Sequence, residues 1–189
     1  MENLYPFVYR ALLTEESLDK AGRKQKNSFG SAEMEAIHKK LSYEMLDDEA
    51  LSKAERMALV YTAIHVFENM VRDFVMATML EEFQDEWWQK VSARIQKKAT
   101  GRMEEEAKLR WHGARGGNEI GYCDFGDLSS IIVTNWEIFE PVLVDMEWTK
   151  SILSILERSR NVVMHGGVLG LQDIERIGGN IRDWVRQAG

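Results

Sequence analysis

The stretch MALVYTAIHVFENMVRDFVMAT, residues 57–78, decides the fold. Its apolar residues recur at alternating steps of three and four, the spacing of one buried face of an α-helix. This stripe consists of Met57, Val60, Ile64, Phe67, Val71, Phe74 and Thr78. Just upstream, Ser52 and Glu55 have the spacing of a capping box, which predicts a helix start there. The stretch therefore predicts one central helix of about eight turns.

Helical spacing recurs along most of the remaining chain, and only Pro6 and Pro141 interrupt it. Further helices are predicted over residues 7–18, 31–41, 86–98, 102–111, 124–140, 145–165 and 172–187. Their expected boundaries are Ser31, Asp124 or Asp127, and Asp145 as N-caps, Gly101 as a break, and Pro141 as a stop. A polar connector is expected over residues 22–30, and Gly113, Gly116 and Gly117 mark a loop. The predicted fold is all-α, an up-and-down helical bundle with additional helices.

The composition fits one intracellular domain. The 189 residues suffice for one well-buried core, with residues 1–30 as an N-terminal helix and connector and 31–189 as the core. No run approaches the roughly 20 apolar residues of a membrane span, and the N-terminus lacks signal-peptide order. The single cysteine, Cys123, excludes an internal disulfide. A cytoplasmic location without membrane association is the expectation.

The net charge of −7 conceals a local reversal. Residues 90–115 carry eight basic side chains against three glutamates, a net +5. Basic residues interleaved with an aromatic ring can follow a phosphate backbone and stack a base. The RNA-binding candidates are therefore Arg94, Lys97, Lys98, Arg102, Arg110, Trp111, His112 and Arg115. A solvated, charged helix face is the competing interpretation.

A second stretch, RSRNVVMHGG at residues 158–167, places polar groups at the end of an apolar helix. Asn161 and His165 are four residues apart and share a helix face, while Arg160 lies about 100° round from Asn161. The glycine pair after His165 is expected to end the helix, because glycine tolerates the left-handed conformation. His165 would then lie on an open terminal turn.

A polar row runs beside the central stripe. His65, Glu68 and Arg72 stand at i, i+3 and i+7. The simplest interpretation is a surface pair between Glu68 and Arg72, contributing roughly 0.3–0.5 kcal/mol. The four histidines lie far apart and lack metal-ligand spacing, so no metal is expected.

The order Arg160-Asn161-x-x-x-His165 on a late helix resembles the nuclease motif of the HEPN superfamily. Further blocks strengthen the resemblance, namely residues 61–72, Trp87-Trp88, Trp111-His112, 122–128, Asn135-Trp136 and 173–176. Together they are similar to the HEPN branch first described at the C-terminus of a nuclear transcript quality-control endonuclease. The resemblance spans roughly residues 35–189. We expect a free-standing version, without the PIN-type nuclease domain of that relative.

The resemblance implies a metal-independent RNA endonuclease, without a cofactor, whose two chains dimerise around one cleft. By analogy Arg160 would hold the scissile phosphate, Asn161 would orient it or His165, and His165 would transfer protons. Glu68 and Arg72 become candidates for the cleft wall. One antitoxin-controlled HEPN group has a modifiable tyrosine two places after the histidine, where this sequence has Gly167, which argues against control by tyrosine nucleotidylation.

RNA carries its own nucleophile, the 2′-hydroxyl, so cleavage needs only a base, an acid and charge stabilisation. Histidine has an unperturbed pKa near 6.5 and can serve in either proton role, while arginine can bind two phosphate oxygens at once. The expected activity is an endoribonuclease in defence or as a toxin, with an antitoxin or other regulatory protein as partner. The alternative is a non-catalytic HEPN module that binds RNA, nucleotide or protein. A purely structural alternative pairs Arg160 with Glu157 or a distant acid and makes His165 the cap of its own helix.

Overall fold

A computed structural model of the protein describes residues 30–109 and 111–188. These residues form seven α-helices and three short 3₁₀-helices, and they contain no strand. The predicted all-α class is therefore confirmed. The predicted helix at 7–18 and residues 22–29 of the predicted connector lie outside the described residues. The described residues divide into two compact units, with the boundary between residues 48 and 49.

The described part of the first unit contains α1, Ser31–Lys40, and a 3₁₀-helix at Tyr43–Met45. The N-cap residue is Gly30, so the prediction of Ser31 as the cap is wrong by one position. The ring of His38 stacks on that of Tyr43 at 4.3 Å between centroids. His38 is thus a packing residue of this unit.

The central helix, α2, runs over Asp48–Phe83 and has 36 residues. It begins four residues before Ser52, so the predicted capping box is wrong. Residues 48–51 already favour a helix, because acidic side chains suit the first turn and alanine and leucine have high helix propensity. Across this first part of the helix, Lys53 pairs with Glu49 at 2.6 Å.

The buried stripe of α2 follows the prediction as far as Val71 and then departs from it. Phe74 and Thr78 are only partly buried, while Val75 and Met79 are fully enclosed. The predicted stripe averaged about 3.5 residues per turn, and such a repeat drifts round a straight helix of 3.6 residues per turn. The step of four to Val75 keeps the stripe facing the core.

After α2, a 3₁₀-helix at Gln84–Lys90 precedes α3, Ala93–Ala107. The predicted helix break at Gly101 is wrong, since α3 passes through this residue and the interruption falls at residues 91–92 instead. One interior glycine costs a helix only about 1 kcal/mol relative to alanine. Ion pairs from Lys98 and Arg102, on either side of Gly101, hold the helix in place.

The remaining α-helices are α4 at Phe125–Thr134, α5 at Trp136–Leu143, α6 at Met146–Met164 and α7 at Leu171–Ala188. A third 3₁₀-helix, Glu119–Tyr122, precedes α4. Asp124 caps α4 in a capping box with Asp127, and Asp145 caps α6, so these predicted caps are confirmed.

The predicted stop at Pro141 is wrong, because Pro141 lies inside α5. The break comes six residues earlier at Asn135, which separates α4 from α5. The side chain of Asn135 donates to the backbone oxygen of Ile131 at 2.9 Å, so it satisfies a carbonyl at the end of α4. Asparagine favours helix ends because its amide competes for such backbone groups.

The core of the second unit centres on Trp184 of α7, which is 2% exposed. Its indole meets Phe67 of α2 edge-on at 5.6 Å and stacks on Trp148 of α6 at 6.1 Å. Phe67 also stacks on Phe125 at the start of α4. These contacts set α6 beside the middle of α2, where the polar row of the sequence lies. Within the described residues, none of the helices has the length and apolarity needed to cross a membrane.

Candidate functional site

The site begins at the C-terminal end of α6. The N–H of Gly167 donates to the oxygen of Val162 at 2.8 Å, and that of Gly166 donates to the oxygen of Val163 at 3.1 Å. This pair of bonds is a Schellman motif, and Gly166 supplies its left-handed residue with φ of 77°. His165 occupies the C-cap position and is exposed. The prediction that the glycine pair ends the helix is confirmed.

Gly167 has no room for a side chain. A Cβ atom there would lie 2.6 Å from Cγ1 and 2.8 Å from the backbone oxygen of Val162. A tyrosine at this position would therefore require the turn after α6 to rearrange. Gly167 therefore fits the turn that positions His165 and leaves no room for a tyrosine.

Arg160, one turn before His165, reaches across to α2. Its Nε lies 3.4 Å from Oε2 of Glu68, and its NH1 approaches Oδ1 of Asn161 at 3.4 Å. Glu68 is enclosed, with a side chain only 9% exposed, whereas that of Arg160 is 28% exposed. Among the described residues, the Nη2 group of Arg160 forms no hydrogen bond or ion pair, although burial raises the pKa of nearby Glu157 and the charge of Arg160 partly offsets that rise. Arg160 is therefore anchored by one edge and open on the other.

Glu68 joins Arg160 to a second arginine. Its Oε1 accepts from NH2 of Arg72 at 3.1 Å, so one buried carboxylate serves two guanidinium groups. Arg72 also donates to the backbone oxygens of Ile120 and Cys123, each at 3.1 Å. With these bonds Arg72 ties α2 to the segment before α4. Its donors are used internally, so Arg72 is a structural part of the cavity.

Arg160, Glu68 and Arg72 line a cavity of about 540 Å³. The wall from α2 adds Tyr61, His65 and Asn69, and the opposite wall adds Arg102, Arg115, Tyr122 and Asp124. Four arginines against two carboxylates give this lining an excess of positive charge. Such a cavity suits an anionic ligand.

A second groove, of about 520 Å³, lies on another face of α6. It is lined by Ser154, Glu157, Arg158, Asn161, Val162 and His165. Burial raises the pKa of Glu157, and the charge of Asp124 adds to the effect, while the backbone of Gly126 partly offsets it. This groove therefore holds a histidine and a carboxyl group that protonates more readily than usual.

Within one chain, Arg160 and His165 open onto different cavities. Arg160 lines the cavity against α2, whereas Asn161 and His165 line the α6 groove. Asn161 connects the two through its long contact with Arg160. Two features of the structural alternative are present, since Arg160 pairs with a distant acid and His165 caps its helix. Neither side chain points into the core, however.

Ion pairs separate the basic residues of segment 90–115 into two groups, those bound within the protein and those at its surface. Lys98 lies 2.8 Å from Asp124 and 2.7 Å from Asp127, and Arg102 lies 3.3 Å from Asp124. Burial alone would raise the pKa of Asp124, but hydrogen bonds from Lys98 and from the backbone of Asp127 hold it well below its usual range. Lys98 and Arg102 thus clamp α3 to the start of α4.

The other RNA-binding candidates lie at the surface. Arg94 and Lys97 are exposed on α3, and Trp111 is 81% exposed. The ring of His112 meets Trp111 edge-on at 5.5 Å. Arg115 pairs with Glu106 at 2.7 Å and, like Arg102, lines the cavity that contains Arg160. Arg110 lies outside the described residues.

Sequence reasoning missed Asn69 and Glu157. Asn69 stands four residues after His65 on α2, so the polar row was a signal that could have included it. Glu157 stands one turn before Asn161 and two before His165, which places it on the same face of α6. Sequence reasoning considered Glu157 only as a partner of Arg160.

Cys123 is buried, and this burial raises the pKa of its thiol to about 12, so it is a poor nucleophile. Across residues 30–109 and 111–188, no group of three or more His, Cys, Asp or Glu residues is placed to hold a metal ion.

An all-α fold whose late helix ends in Arg-Asn-x-x-x-His beside a long polar-edged helix defines the HEPN class. A family model described as Swt1-like HEPN matches residues 62–189, about two thirds of the chain, and the protein belongs to this family. The resemblance stated from the sequence is therefore confirmed over that range. No significant match was found among curated proteins or among solved structures.

Proposed function

We propose that the protein is a metal-independent endoribonuclease. The observation that carries the proposal is Arg160, which Glu68 holds at the edge of a positively charged cavity, with an outer Nη2 group that forms no hydrogen bond or ion pair within the described residues. One turn later on the same helix, His165 stands exposed beside Asn161 in the adjoining groove. An anchored arginine next to an open histidine supplies the charge stabilisation and the proton transfer that RNA cleavage needs.

In the proposed reaction the 2′-oxygen attacks the adjacent phosphorus and the bond to the 5′-oxygen breaks. A base removes the 2′-hydroxyl proton, and an acid donates a proton to the leaving 5′-oxygen. The products are a 2′,3′-cyclic phosphate and a 5′-hydroxyl end. His165 fills one of the proton roles, and Arg160 binds non-bridging phosphate oxygens as their negative charge grows.

In the proposed enzyme, a second chain brings together Arg160 and His165, which open onto different cavities within one chain. Exposed apolar side chains surround His165, with Met164 at 55%, Val168 at 51% and Leu171 at 78% exposure. Such a patch favours burial against another protein surface. In a two-fold dimer, the same surface patch of each chain contacts the other chain. Such pairing can bring His165 of one chain close to Arg160 of the other.

The surface candidates on the basic segment are proposed to bind RNA outside the cleavage point. Arg94 and Lys97 offer a guanidinium and an ammonium group for phosphates, and Trp111 offers a ring for base stacking. Arg115, in contrast, lines the cavity that contains Arg160. Lys98 and Arg102 contribute mainly through the clamp to Asp124 and Asp127. Loss of Trp111 should therefore weaken RNA binding without unfolding the protein.

The direct test is cleavage of total RNA and of single-stranded oligonucleotides by the wild type and by His165→Ala, with and without chelator. Removal of a positioned proton carrier should reduce cleavage by about 10²–10⁴-fold. Both proteins are first shown to be folded and of equal oligomeric state. Cutting that stops when a chelator is added would contradict the metal-independent mechanism.

The second candidate is a non-catalytic module that binds RNA, nucleotide or a partner protein. The observation in its favour is that Glu68 already pairs with Arg160 and that His165 opens onto a different groove. Tight RNA binding by a dimer that leaves all RNA substrates intact would support this candidate. Under the enzyme proposal, the biological setting is defence or a toxin controlled by an antitoxin or other regulatory protein.

A further inference from the structure

His65 lies in the wall of the Arg160 cavity, yet the proposed reaction does not use it. Its ring stacks on Tyr61, with centroids 5.7 Å apart and planes 18° from parallel. Asn69 lies within hydrogen-bonding distance, with Nδ2 3.2 Å from Nε2 of His65. His65 is exposed despite these contacts. The ring is thus held in one orientation at an open surface.

The hydrogen-bond direction at His65 follows from Arg72. A guanidinium group can only donate, so the amide oxygen of Asn69 must face NH1 of Arg72, with which it is hydrogen-bonded. The NH2 group of Asn69 then faces Nε2 of His65 and donates to it. A neutral imidazole carries one proton, so His65 must bear it on Nδ1. Among the described residues, Nδ1 has no recorded partner.

A continuous network connects this Nδ1 donor to Arg160. It runs from His65 through Asn69, Arg72 and Glu68 to the guanidinium group of Arg160. His65 and Glu68 are one helical turn apart, so their Cβ atoms are separated by about 5–6 Å. Because His65 and Arg160 line the same cavity, a phosphate held by Arg160 would share that cavity with His65.

We propose that His65 is a further catalytic residue, which in its neutral form donates the Nδ1 proton as a hydrogen bond to a non-bridging oxygen of the RNA phosphate bound at Arg160. This inference rests on the proposed function. His65 gains and loses no proton in the step, because the base and the acid described above carry both protons. Its hydrogen bond strengthens as charge grows on the phosphate oxygens.

The arrangement disfavours a proton-carrying role for His65 itself. Protonation would place an N–H on Nε2 against the NH2 group of Asn69, whose oxygen is held by Arg72. The charged groups that share the cavity with His65 are Glu68, Arg72, Arg102, Arg115, Asp124 and Arg160. Tyr61, Tyr122 and Cys123 complete the titratable groups that line this cavity.

Two substitutions of His65 distinguish the roles of its two ring nitrogens. His65→Asn places an amide group where Nδ1 stands, so it can still donate to the phosphate. His65→Gln reaches instead to the position of Nε2, so it keeps the contact with Asn69 and loses the donor. Cleavage should fall by about 10²-fold in His65→Gln, the scale of one lost transition-state donor, and substantially less in His65→Asn. His38→Gln, in the first unit, is the matched control and should cleave like the wild type.

Asn69→Asp tests the direction of the hydrogen bond. An aspartate at this position accepts from both Arg72 and His65, so the neutral ring carries its proton on Nε2 and Nδ1 becomes an acceptor. The neighbouring carboxylate also favours the imidazolium form, which still has an Nδ1 proton. The variant should therefore approach wild-type cleavage at low pH and fall progressively behind as pH rises. If Asn69 has a purely structural role, the ratio of variant to wild-type cleavage should not change with pH.

Binding measurements keep this inference separate from the proposed function. The probe is a fluorescent single-stranded RNA oligonucleotide that carries 2′-O-methyl groups and cannot be cleaved, measured by anisotropy with each folded variant. If the wild type cleaves RNA but His65→Gln cleaves equally well, the inference about His65 is wrong and the proposed function stands. If the wild type cleaves nothing, the proposed function fails. In that case a pH-dependent loss of binding in Asn69→Asp supports the phosphate contact, and unchanged binding overturns it.

Discussion

At the scale of single residues, the most consequential group is the carboxylate of Glu68. It is enclosed between Arg72 and Arg160, and each of its oxygens faces a different guanidinium group. Buried charges require such partners, because removal of one partner leaves an uncompensated charge in a poorly solvated site. Glu68 therefore supports both the packing of α2 against α6 and the position of Arg160.

Replacement of Glu68 by glutamine should destabilise the protein by about 3 kcal/mol, because two arginines lose their shared counter-charge. The measurement is the free energy of unfolding in urea. Glu49→Gln is the matched control on the same helix, since Glu49 and Lys53 form an i,i+4 pair with side chains 79% and 58% exposed. That change should cost less than about 0.5 kcal/mol. Equal effects of the two substitutions would contradict the assignment of Glu68 as a buried bridge.

The sequence identified the spacing of Glu68 and Arg72 but not their burial. The i,i+4 pattern describes a surface pair and a buried pair equally well. The difference comes from Arg160, which is distant in sequence and is brought to Glu68 only when α6 packs beside α2. The same reason explains why Asn161 and His165 could be placed on one helix face from sequence, whereas the separate cavity of Arg160 could not.

At the scale of the helices, the clamp between α3 and α4 depends on charge. Lys98 and Arg102 reach Asp124, which also caps α4 through the backbone N–H of Asp127 at 3.1 Å. Burial alone would lower the pKa of Lys98, but its hydrogen bonds to Asp124 and Asp127 raise it. The clamp is therefore fully charged at neutral pH.

The substitution Asp124→Asn removes the charge and keeps a good N-cap residue. We expect it to lower the free energy of unfolding by about 1–2 kcal/mol at pH 7, a value reduced for the partial exposure of the pair. The folded-state pKa of Asp124 lies below that of the unfolded chain, so this stabilisation is present above about pH 4 and disappears as pH falls further. Urea unfolding of both proteins from pH 7 to pH 3 measures the difference. A gap that stays constant at low pH would contradict a charge-based clamp.

Two glycines on these helices should respond to alanine in opposite directions. A Cβ at Gly101 meets no atom within 4 Å, so Gly101→Ala should stabilise α3 by about 0.5–1 kcal/mol. A Cβ at Gly167 would overlap Val162, so Gly167→Ala should destabilise the protein by about 1–3 kcal/mol. Thermal unfolding of the two variants measures both effects. Gly167→Ala should also reduce cleavage, because the turn after α6 positions His165.

Helix identity was more predictable than helix boundaries. The caps at Asp124 and Asp145 were found because a carboxylate stood directly before an apolar repeat. The start of α2 was misplaced because an ordinary Ser-x-x-Glu spacing inside a helix has the same letters as a capping box. Pro141 predicts a stop, but it is accommodated inside the short helix α5. Local signals show where a helix can end, and packing selects where it does.

At the scale of the whole molecule, α6 contributes to two different cavities. One side offers Arg160 to the cavity against α2, and another offers Asn161 and His165 to an open groove with an apolar border. The proposed enzyme would bring the two surfaces together by two-fold pairing, so that each active site combines residues from both chains. A site built from two chains can recover activity when two inactive variants are mixed, whereas a site within one chain cannot.

Arg160→Ala and His165→Ala should each be inactive alone but regain activity when the two variants are mixed and allowed to exchange subunits. In a mixed dimer one site loses both residues, while the other keeps Arg160 from one chain and His165 from its partner. Random 1:1 exchange should give about one quarter of wild-type cleavage, because half of the dimers are mixed and each has one intact site. The measurement is the initial cleavage rate of a single-stranded RNA oligonucleotide, with the dimer fraction checked by light scattering. A mixture as inactive as its components would show that Arg160 and His165 act within the same chain.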